Sequence, residues 1–302
     1  MSGKAARAQG VTPVSYTHLD VYKRQGLNRK PLYAAEGFKE IRKAAAPGRR
    51  FCVAGTARGR ENAMEQATGA RRAAVAMSGG VDSSVAALLL AQAGWACTGV
   101  TLRLYAGADA APDGARTCCS LEDVEDARAV ARRLGIRHYT FNFTEAFERD
   151  VIGRFVQGYL AGETPNPCID CNKHIKFSAL LRRAQLMGCT HVATGHYARI
   201  VRGANGRMLL QTGLDAGKDQ SYMLYGMTQR ELAHTLFPLG ALTKAEVRAL
   251  ALENGFGNAR KRDSQDICFV PTLDNCQLSI RNERIPQPLN LLRLYLRHSN
   301  HL

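Results

Sequence analysis

The chain has 302 residues, 45% of them hydrophobic and 22% charged, which is the composition of a soluble globular protein with a substantial core. No run of 18 apolar residues occurs, which argues against a membrane-spanning helix and a membrane partner. The net charge of +15 favours an anionic partner such as nucleic acid, but it is unevenly distributed. Residues 1–71 carry 14 basic and 5 acidic side chains and residues 277–302 carry 4 and 1, which leaves residues 72–276 with only +3.

The cysteine content argues against a secreted disulfide scaffold. The chain has nine cysteines, an odd number, in a long sequence that does not open with a charged-then-apolar signal peptide. Reduced thiols in a cytoplasmic protein, some of them catalytic or metal-binding, fit this pattern better.

The N-terminal flank, residues 1–71, has no clear periodicity, and three interpretations stay open. It is a disordered basic leader, an Arg-rich transit peptide that would direct the protein to mitochondria, or a non-native segment. We favour the third, because residues 14–25 (VSYTHLDVYKRQ) look like translated adaptor or vector sequence. The C-terminal flank, residues 277–302, contains two prolines and is too short to form a domain.

Residues 72–276 alternate between short apolar runs and helical patterns, which predicts an α/β fold. Strands joined through helices of this length form right-handed crossovers, so we expect a doubly wound parallel sheet with helices on both faces. Leu232–Glu253 predicts a small helical subdomain. Strands are predicted at 73–77, 97–104, 138–143 and 190–194, and helices at 81–93, 121–134, 147–160 and 175–187.

The strongest motif, residues 76–84 (AMSGGVDSS), lies between a predicted strand and a predicted helix. Its glycines allow a tight turn and a close approach to an anion. The helix N-terminus directs backbone N–H groups and a favourable dipole at that anion. The loop lacks both the Walker A ending and the dinucleotide fingerprint GxGxxG. It therefore predicts a different kind of phosphate site.

A CxxC motif follows two prolines in TPNPCIDCNK, residues 164–173. The prolines predict an extended entry to a helix that begins near Lys173. A thiol at a helix N-terminus has a lowered pKa and is more nucleophilic, so this pattern favours a reactive cysteine on a loop. Cys268 follows polar residues and precedes apolar ones, as at the end of a strand or in a loop.

Three interpretations of these cysteines stay open. Cys171 and Cys268 form a redox or persulfide pair, or Cys168, Cys171 and Cys268 ligate a metal, or all three are structural thiols. A single CxxC gives poor support to a closed zinc site, which needs four ligands. A [4Fe–4S] cluster with one open iron remains among the alternatives.

Taken together, the motifs of residues 72–274 resemble those of the tRNA-specific 2-thiouridylases of the bacterial MnmA type. The resemblance covers about two thirds of the chain, and GETPNPCxxCN with SQDICF separates this family from other pyrophosphatase-loop enzymes. The matching segments are AMSGGVDSSVAALLL, CCSLEDVEDARAVARRLGI, LAGETPNPCIDCNKHIKF, HVATGHYARI, GKDQSYML, LFPLGALTKAEVR and KRDSQDICFVP.

The resemblance implies an adenine nucleotide alpha hydrolase-like fold and a reaction at the wobble uridine of tRNA. ATP would adenylate O2 of the uracil, and a persulfide sulfur would then replace the adenylate at C2. The implied partners are tRNAs of the Lys, Glu and Gln type and a persulfide donor or carrier protein. Asp82 would help to hold Mg²⁺ beside the phosphates.

The resemblance also implies residue roles. Cys268 would carry the persulfide, and Cys171 would assist sulfur release and close a disulfide with Cys268. Residues 166–168, which are Asn166, Pro167 and Cys168, would lie against the target base. The residues that would contact other parts of the tRNA are His196, Lys218, Asp219 and Gln220. The residues that would bind ATP are Ala76, Met77, Ser78, Gly79, Gly80, Val81, Asp82, Ser83, Leu102 and Gly195.

The chain departs from the family at both ends. Members begin close to residue 73 and continue into a central domain and a C-terminal β-barrel, whereas here the match fades after residue 274. We therefore expect a truncated or frame-shifted chain. The alternatives are a fragment that only binds ATP or RNA, and another adenylating ligase with the same loop. The predicted divisions are a leader 1–71, a catalytic domain 72–227, the start of a central subdomain with the second catalytic cysteine 228–276, and a tail 277–302.

Overall fold

The computed structural model describes residues 71–104, 121–263 and 267–269, and all structural statements concern these residues. Cys118, Cys119, residues 1–70 and residues 270–302 lie outside them. The four predicted strands are confirmed to within one or two residues. The strands are β1 (Arg72–Ala76), β2 (Ala96–Arg103), β3 (Arg137–Asn142), β4 (His191–Ala193), β5 (Ala198–Arg202), β6 (Met208–Thr212) and β7 (Thr235–Leu236).

Five of the strands form one parallel sheet in the order β3-β2-β1-β4-β7, and β5 and β6 form a separate antiparallel hairpin. These strands are parallel, so the carboxyl ends of β1, β2 and β4 share one edge of the sheet, and the strand order reverses direction at β1. In doubly wound sheets, ligands bind at this edge beside such a switch point.

The helices follow the predicted order. Two π-helical segments join neighbouring helices into longer rods: Glu148–Ile152 connects α3 to α4, and Cys171–Ala179 connects α5 to α6. The helices are α1 (Val81–Gln92), α2 (Leu121–Leu134), α3 (Thr144–Phe147), α4 (Gly153–Leu160), α5 (Pro167–Asp170), α6 (Leu180–Leu186), α7 (Gln229–Ala233) and α8 (Lys244–Glu253).

Strand β1 lies between two apolar layers, one on each face of the sheet, which confirms the doubly wound prediction. Ala73 and Val75 are fully buried on one face with residues of α1, α2 and α8. Ala74 is fully buried on the other face with Ile175 and Leu180 of the cysteine-bearing rod. Alternate residues of a strand point to opposite faces, so one short apolar run serves both layers.

The start of the cysteine-bearing helix differs from the prediction. The helix begins at Pro167 and not near Lys173, so Cys168 and Cys171 lie within it and not on a preceding loop. Pro167 occupies the first helical position, where its missing N–H costs nothing. The side-chain oxygen of Asn166 accepts a hydrogen bond from the Cys168 N–H at 3.0 Å and caps the helix.

Residues 232–253 contain helical structure, as predicted, and also a strand that the sequence did not predict. β7 pairs with β4 through Val192 and Thr235 and extends the main sheet. Helix α8 buries Val247 and Leu250 in the same core cluster as α1. The described residues on both sides of position 227 therefore share one core.

Within the described ranges, every helix is too short or too polar to cross a membrane.

Candidate active site

The phosphate loop connects the end of β1 to the start of α1. Gly79 has a φ of +73°, and a Cβ there would overlap the backbone of Asp123, so the turn requires glycine. Ser83 Oγ accepts a hydrogen bond from the Ser78 N–H at 3.2 Å and donates one to the Gly80 carbonyl at 3.0 Å. Gly80 is the N-cap residue of α1, and it has no side chain to accept hydrogen bonds from the first backbone N–H groups of the helix. The first turn of α1 therefore stays accessible to an anion.

Two residues from other elements support the loop. The Asn258 amide donates hydrogen bonds to the Gly79 carbonyl at 2.8 Å and to Ser84 Oγ at 2.9 Å. Gly195, which follows β4, lies against the first turn of α1. A Cβ at Gly195 would lie 2.8 Å from the carbonyl carbon of Asp82 and from the nitrogen of Ser83. The structure therefore brings Gly195 to the loop, as the ATP-site prediction requires.

A cluster of charged side chains surrounds Asp82, and we call it the Asp82 cluster. Lys244 Nζ donates to both carboxylate oxygens of Asp82, at 2.7 and 2.8 Å, and lies 2.7 Å from Asp263. The Tyr197 hydroxyl also donates to Asp82, at 2.9 Å. The cluster consists of Asp82, Tyr197, Lys218, Lys244, Arg248 and Asp263.

Three cations and two carboxylates belong to the cluster, and Asp215, which accepts from the Lys244 N–H at 2.9 Å, is a third carboxylate beside it. Lys218 lies 2.8 Å and Arg248 3.2 Å from Asp263. Burial raises the pKa of Asp263, but hydrogen bonds and charge from Lys218 and Lys244 outweigh burial and hold this pKa below its ordinary value. Burial, and then the charge of Asp82, raise the pKa of Tyr197, so its hydroxyl keeps its proton and remains a donor. Lys244, which contacts Asp82 on the first turn of α1, is placed to attract an anionic ligand at the loop.

Sequence reasoning missed Lys244, Asp263, Tyr197 and Asn258. Lys244 carried one usable signal, because it occupies the first position of α8, where the helix dipole disfavours a cation. Its two carboxylate partners explain that placement. The other three residues lie in or beside the family-like segments but have no local pattern that indicates their contacts.

Cys171 and Cys268 contact one apolar cluster. Cys171, on the π-helical segment, is buried, and the half-buried Cys268 packs against the same cluster, which includes Leu102 and Leu104 from the end of β2. Phe269 fixes this segment through edge-to-face contacts with Phe147 and Phe155, at 6.0 and 5.2 Å between ring centroids. The structure therefore brings the two cysteines to one apolar cluster, on the face of the sheet opposite α1. Their disulfide pairing stays a prediction.

The described residues do not fit the suggested metal groups well. In the described ranges, no three His, Cys, Asp or Glu side chains are placed to hold a metal ion, so iron–sulfur ligation by Cys168, Cys171 and Cys268 stays a prediction that this arrangement does not support. Asp82 is the type of ligand that Mg²⁺ prefers, but both of its oxygens accept from Lys244. An ion at Asp82 would therefore share these two oxygens with the Lys244 ammonium group.

The residues predicted to face tRNA make several internal contacts. His196 is buried against Phe177 and Phe237, with Nδ1 2.6 Å from Thr194 Oγ1. Burial, assisted by the charge of Lys176, holds the pKa of His196 well below its ordinary value, so the ring is neutral.

The predicted tRNA-facing turn, residues 218–220, is also hydrogen-bonded within the fold. Asp219 accepts from the Gly213 N–H and from Ser221 Oγ, both at 2.8 Å. The Gln220 side chain accepts from the Tyr197 N–H at 3.1 Å. These contacts give the turn one conformation, and its contact with tRNA stays a prediction.

Comparisons with known proteins agree on the family. Residues 71–272 match the model of a family described as "tRNA methyl transferase HUP domain". A tRNA-specific 2-thiouridylase MnmA from Moorella thermoacetica is 57% identical over 197 residues, which cover 65% of this chain and 55% of that protein. Its counterpart from Heliobacterium modesticaldum is 53% identical over 214 residues, 70% of this chain and 54% of that protein. The chain spans about half the length of the curated relatives it matches.

Among solved structures, an NMN synthetase from Francisella tularensis is similar with a TM-score of 0.40 and 19% identity, over 76% of each chain.

The contact of Gly195 with the loop leads to a first prediction. In Gly195→Ala, the new methyl group displaces the first turn of α1, and we expect ATP to bind at least about tenfold more weakly, a loss of about 1.4 kcal/mol. Calorimetric titration with ATP measures this. Gly257→Ala is the matched control, because nothing lies within 4 Å of a Cβ at Gly257. Equal affinities for the two variants would contradict the close approach.

The buried neutral His196 leads to a second prediction. Below the unfolded pKa of about 6.5, the unfolded chain protonates this histidine and the folded chain does not. Unfolding is therefore favoured as pH falls, and the free energy of unfolding decreases by up to about 1.4 kcal/mol per pH unit from this group. Between pH 6.5 and 5, the free energy of unfolding, measured with denaturant, should change less steeply with pH for His196→Gln than for the wild type. His138 and His191, whose pKa values burial also lowers, are common to both proteins. Equal slopes would contradict the prediction.

Proposed function

The chain belongs to the tRNA methyl transferase HUP domain family, and from this membership we propose that it is the ATP-dependent catalytic core of a tRNA 2-thiouridylase. The names of its relatives support the choice, since proteins 57% and 53% identical to it are called tRNA-specific 2-thiouridylases. The observation that carries the proposal is geometric. A phosphate loop follows β1, and Cys171 and Cys268 pack against one apolar cluster that includes Leu102 at the end of the neighbouring strand β2; this supports a reaction between an activated base and a sulfur donor.

The proposed reaction has two steps. Uracil O2 attacks the α-phosphorus of ATP, and pyrophosphate leaves, so the poor leaving group at C2 becomes an adenylate. The terminal sulfur of a persulfide on Cys268 then attacks C2, and AMP leaves. The Cys171 thiolate attacks the Cys268 sulfur of the resulting mixed disulfide and releases 2-thiouridine, with a disulfide between the two cysteines as the second product.

In this proposal the phosphate loop binds the triphosphate. The first turn of α1 offers N–H groups and a favourable dipole, and the cations of the Asp82 cluster help to neutralise the phosphates. The predicted ATP contact of Leu102 is proposed on its position, buried at the end of β2 beside the loop. Mg²⁺, when bound with the triphosphate, would neutralise charge on the departing pyrophosphate.

The thiols are held in different ways, which suits their proposed roles. Cys171 is rigidly placed on a helical rod and buried, whereas Cys268 is half-buried in a segment that aromatic contacts hold. A persulfide carrier must first receive sulfur from a donor protein, so greater exposure at Cys268 suits the carrier role. The target base would have to leave its stack to reach this site, near Asn166, Pro167 and Cys168.

We further propose that the substrates are tRNAs of the Lys, Glu and Gln type and that the protein acts in the cytoplasm. The sulfur comes from a persulfide donor or carrier protein. The predicted RNA contacts are those of His196, Lys218, Asp219 and Gln220; for the buried His196 the proposed role is to fix the loop after β4 through Thr194.

Substitution of the cysteines tests the proposal. With ATP, Mg²⁺, a persulfide donor and unmodified tRNA, the wild-type chain should form 2-thiouridine, detected by nucleoside mass spectrometry. Cys268→Ser and Cys171→Ser should lower its formation by at least about a hundredfold, since each removes a bond-forming sulfur. Pyrophosphate release should persist in both variants, because adenylation does not use the thiols.

The matched control is Cys189→Ala, which alters another buried cysteine of the same apolar cluster. It should keep 2-thiouridine formation near the wild-type level. Unchanged thiolation in either serine variant would refute the assigned thiol roles. Binding of ATP and tRNA with neither pyrophosphate release nor thiolation in the wild type would instead support a chain that only binds.

A further inference from the structure

We propose that Tyr222, Tyr225 and Lys173 form a docking surface for the unpaired nucleotides that flank the target uridine in the anticodon loop of tRNA. We call these three residues the tyrosine surface. The proposal rests on the proposed function, since it assumes that the target base is held near Cys171. To that function it adds contacts with the two neighbouring bases and with one phosphate.

Two large aromatic side chains are exposed on one short segment, residues 221–227, which follows the turn 218–220. Tyr222 is 59% and Tyr225 is 73% exposed, and their Cα atoms lie at most about 11 Å apart, because they are three residues apart in the chain. An aromatic ring gains free energy when it leaves water, and every nucleic-acid base offers a flat face on which such a ring stacks. Two exposed rings at this spacing favour a single-stranded RNA, whose bases are unpaired.

The backbone that carries the two tyrosines is fixed by the fold. Leu224, which lies between them in the chain, is 1% exposed and belongs to the same apolar cluster as Phe177 of the cysteine-bearing rod. The N–H groups of Met223 and Met227 donate to the carbonyls of Gln220 and Leu224, both at 3.1 Å. The tyrosines are therefore presented on a defined backbone, and less conformational entropy is lost when RNA binds them.

The tyrosine surface lies beside the proposed place of sulfur transfer. The side-chain amide of Asn172, which directly follows Cys171, donates to the Met223 carbonyl at 3.4 Å. Met223 in turn directly follows Tyr222. The nucleotides on either side of a base held near Cys171 are covalently linked to that base, so the tyrosine surface is within their reach.

Lys173 supplies a cation at the same place. A Cβ at Gly226 would lie 3.5 Å from Lys173 Cδ, so the stem of this lysine runs along the backbone next to Tyr225. Lys173 is exposed, and within the described part of the chain no carboxylate pairs with its ammonium group. An exposed cation beside aromatic rings suits a phosphate between stacked bases. It favours RNA over an apolar protein segment, which would cover the ammonium group without neutralising it.

Binding of an unmodified tRNA transcript to the full chain, measured by fluorescence anisotropy, tests the proposal. Tyr222→Ala and Tyr225→Ala should each weaken binding about tenfold, which corresponds to about 1.4 kcal/mol for one lost stacking contact. Tyr222→Phe and Tyr225→Phe keep the ring and should bind with an affinity close to that of the wild type. Lys173→Gln should weaken binding and lower the slope of log Kd against log salt concentration by about 0.7, the contribution of one phosphate in a single strand.

A second tRNA, assembled by ligation, lacks the two bases that flank the target uridine but keeps their sugars and phosphates. The wild-type chain should bind this tRNA about as weakly as the double variant Tyr222→Ala/Tyr225→Ala binds the complete one. The double variant should bind both tRNAs equally, because the two changes remove the same contacts.

The matched control is Tyr139→Ala. Tyr139 is also exposed, at 42%, but lies on β3, at the edge of the sheet opposite β7. This variant should retain the wild-type affinity for both tRNAs. Thermal unfolding of each variant shows whether it is folded.

The outcomes separate the tyrosine surface from the proposed function. If the wild-type chain binds the complete tRNA and the folded alanine variants bind it equally well, the tyrosine surface is wrong and the proposed function is unaffected. If the alanine variants lose as much affinity for the tRNA without the flanking bases, the rings do not stack on those bases, and the assignment is also wrong. If the wild-type chain binds neither tRNA, the proposed function fails, and the tyrosine surface fails with it.

Discussion

The carboxylate of Asp82 accepts hydrogen bonds from two elements that are distant in sequence, Tyr197 after β4 and Lys244 at the start of α8. Through these contacts the first turn of α1 is fixed relative to the end of β4 and to α8. Gly195 can approach the same turn closely because it has no side chain. The geometry of the phosphate loop, and with it the position of any bound phosphate, depends on this convergence at one aspartate.

The cost of burying these charges explains why the cluster is an interconnected network. A partly buried carboxylate without a partner is strongly destabilising, whereas Asp82 and Asp263 each bind more than one donor. The three cations of the network, with Lys244 in contact with the first turn of α1, favour a polyanionic ligand at the loop. The overall charge of +15 also pointed to an anionic partner, but most of it lies in flanks outside the described residues.

Local sequence patterns predicted the parts of the fold that local physics determines. The apolar run around Val75 predicted a buried strand, and the glycines of the phosphate loop predicted a turn at the N-terminus of α1. The predicted start of the helix that carries Cys168 and Cys171 was wrong, because a proline is compatible both with an extended segment and with the first position of a helix. The Lys244 bridge was missed because its partners are 162 and 19 positions away in the chain, and no local pattern encodes such pairs. The family resemblance supplied the pairing of Cys171 with Cys268, which spacing alone left open.

The most direct test of the central claim, that this site adenylates the wobble uridine, is pyrophosphate release measured with two tRNA transcripts that differ only at that nucleotide. With uridine at the wobble position, the chain should release pyrophosphate from ATP, and with cytidine there it should release none above the rate without tRNA. Equal release with both transcripts, or no release with uridine although ATP and tRNA bind, would contradict the claim.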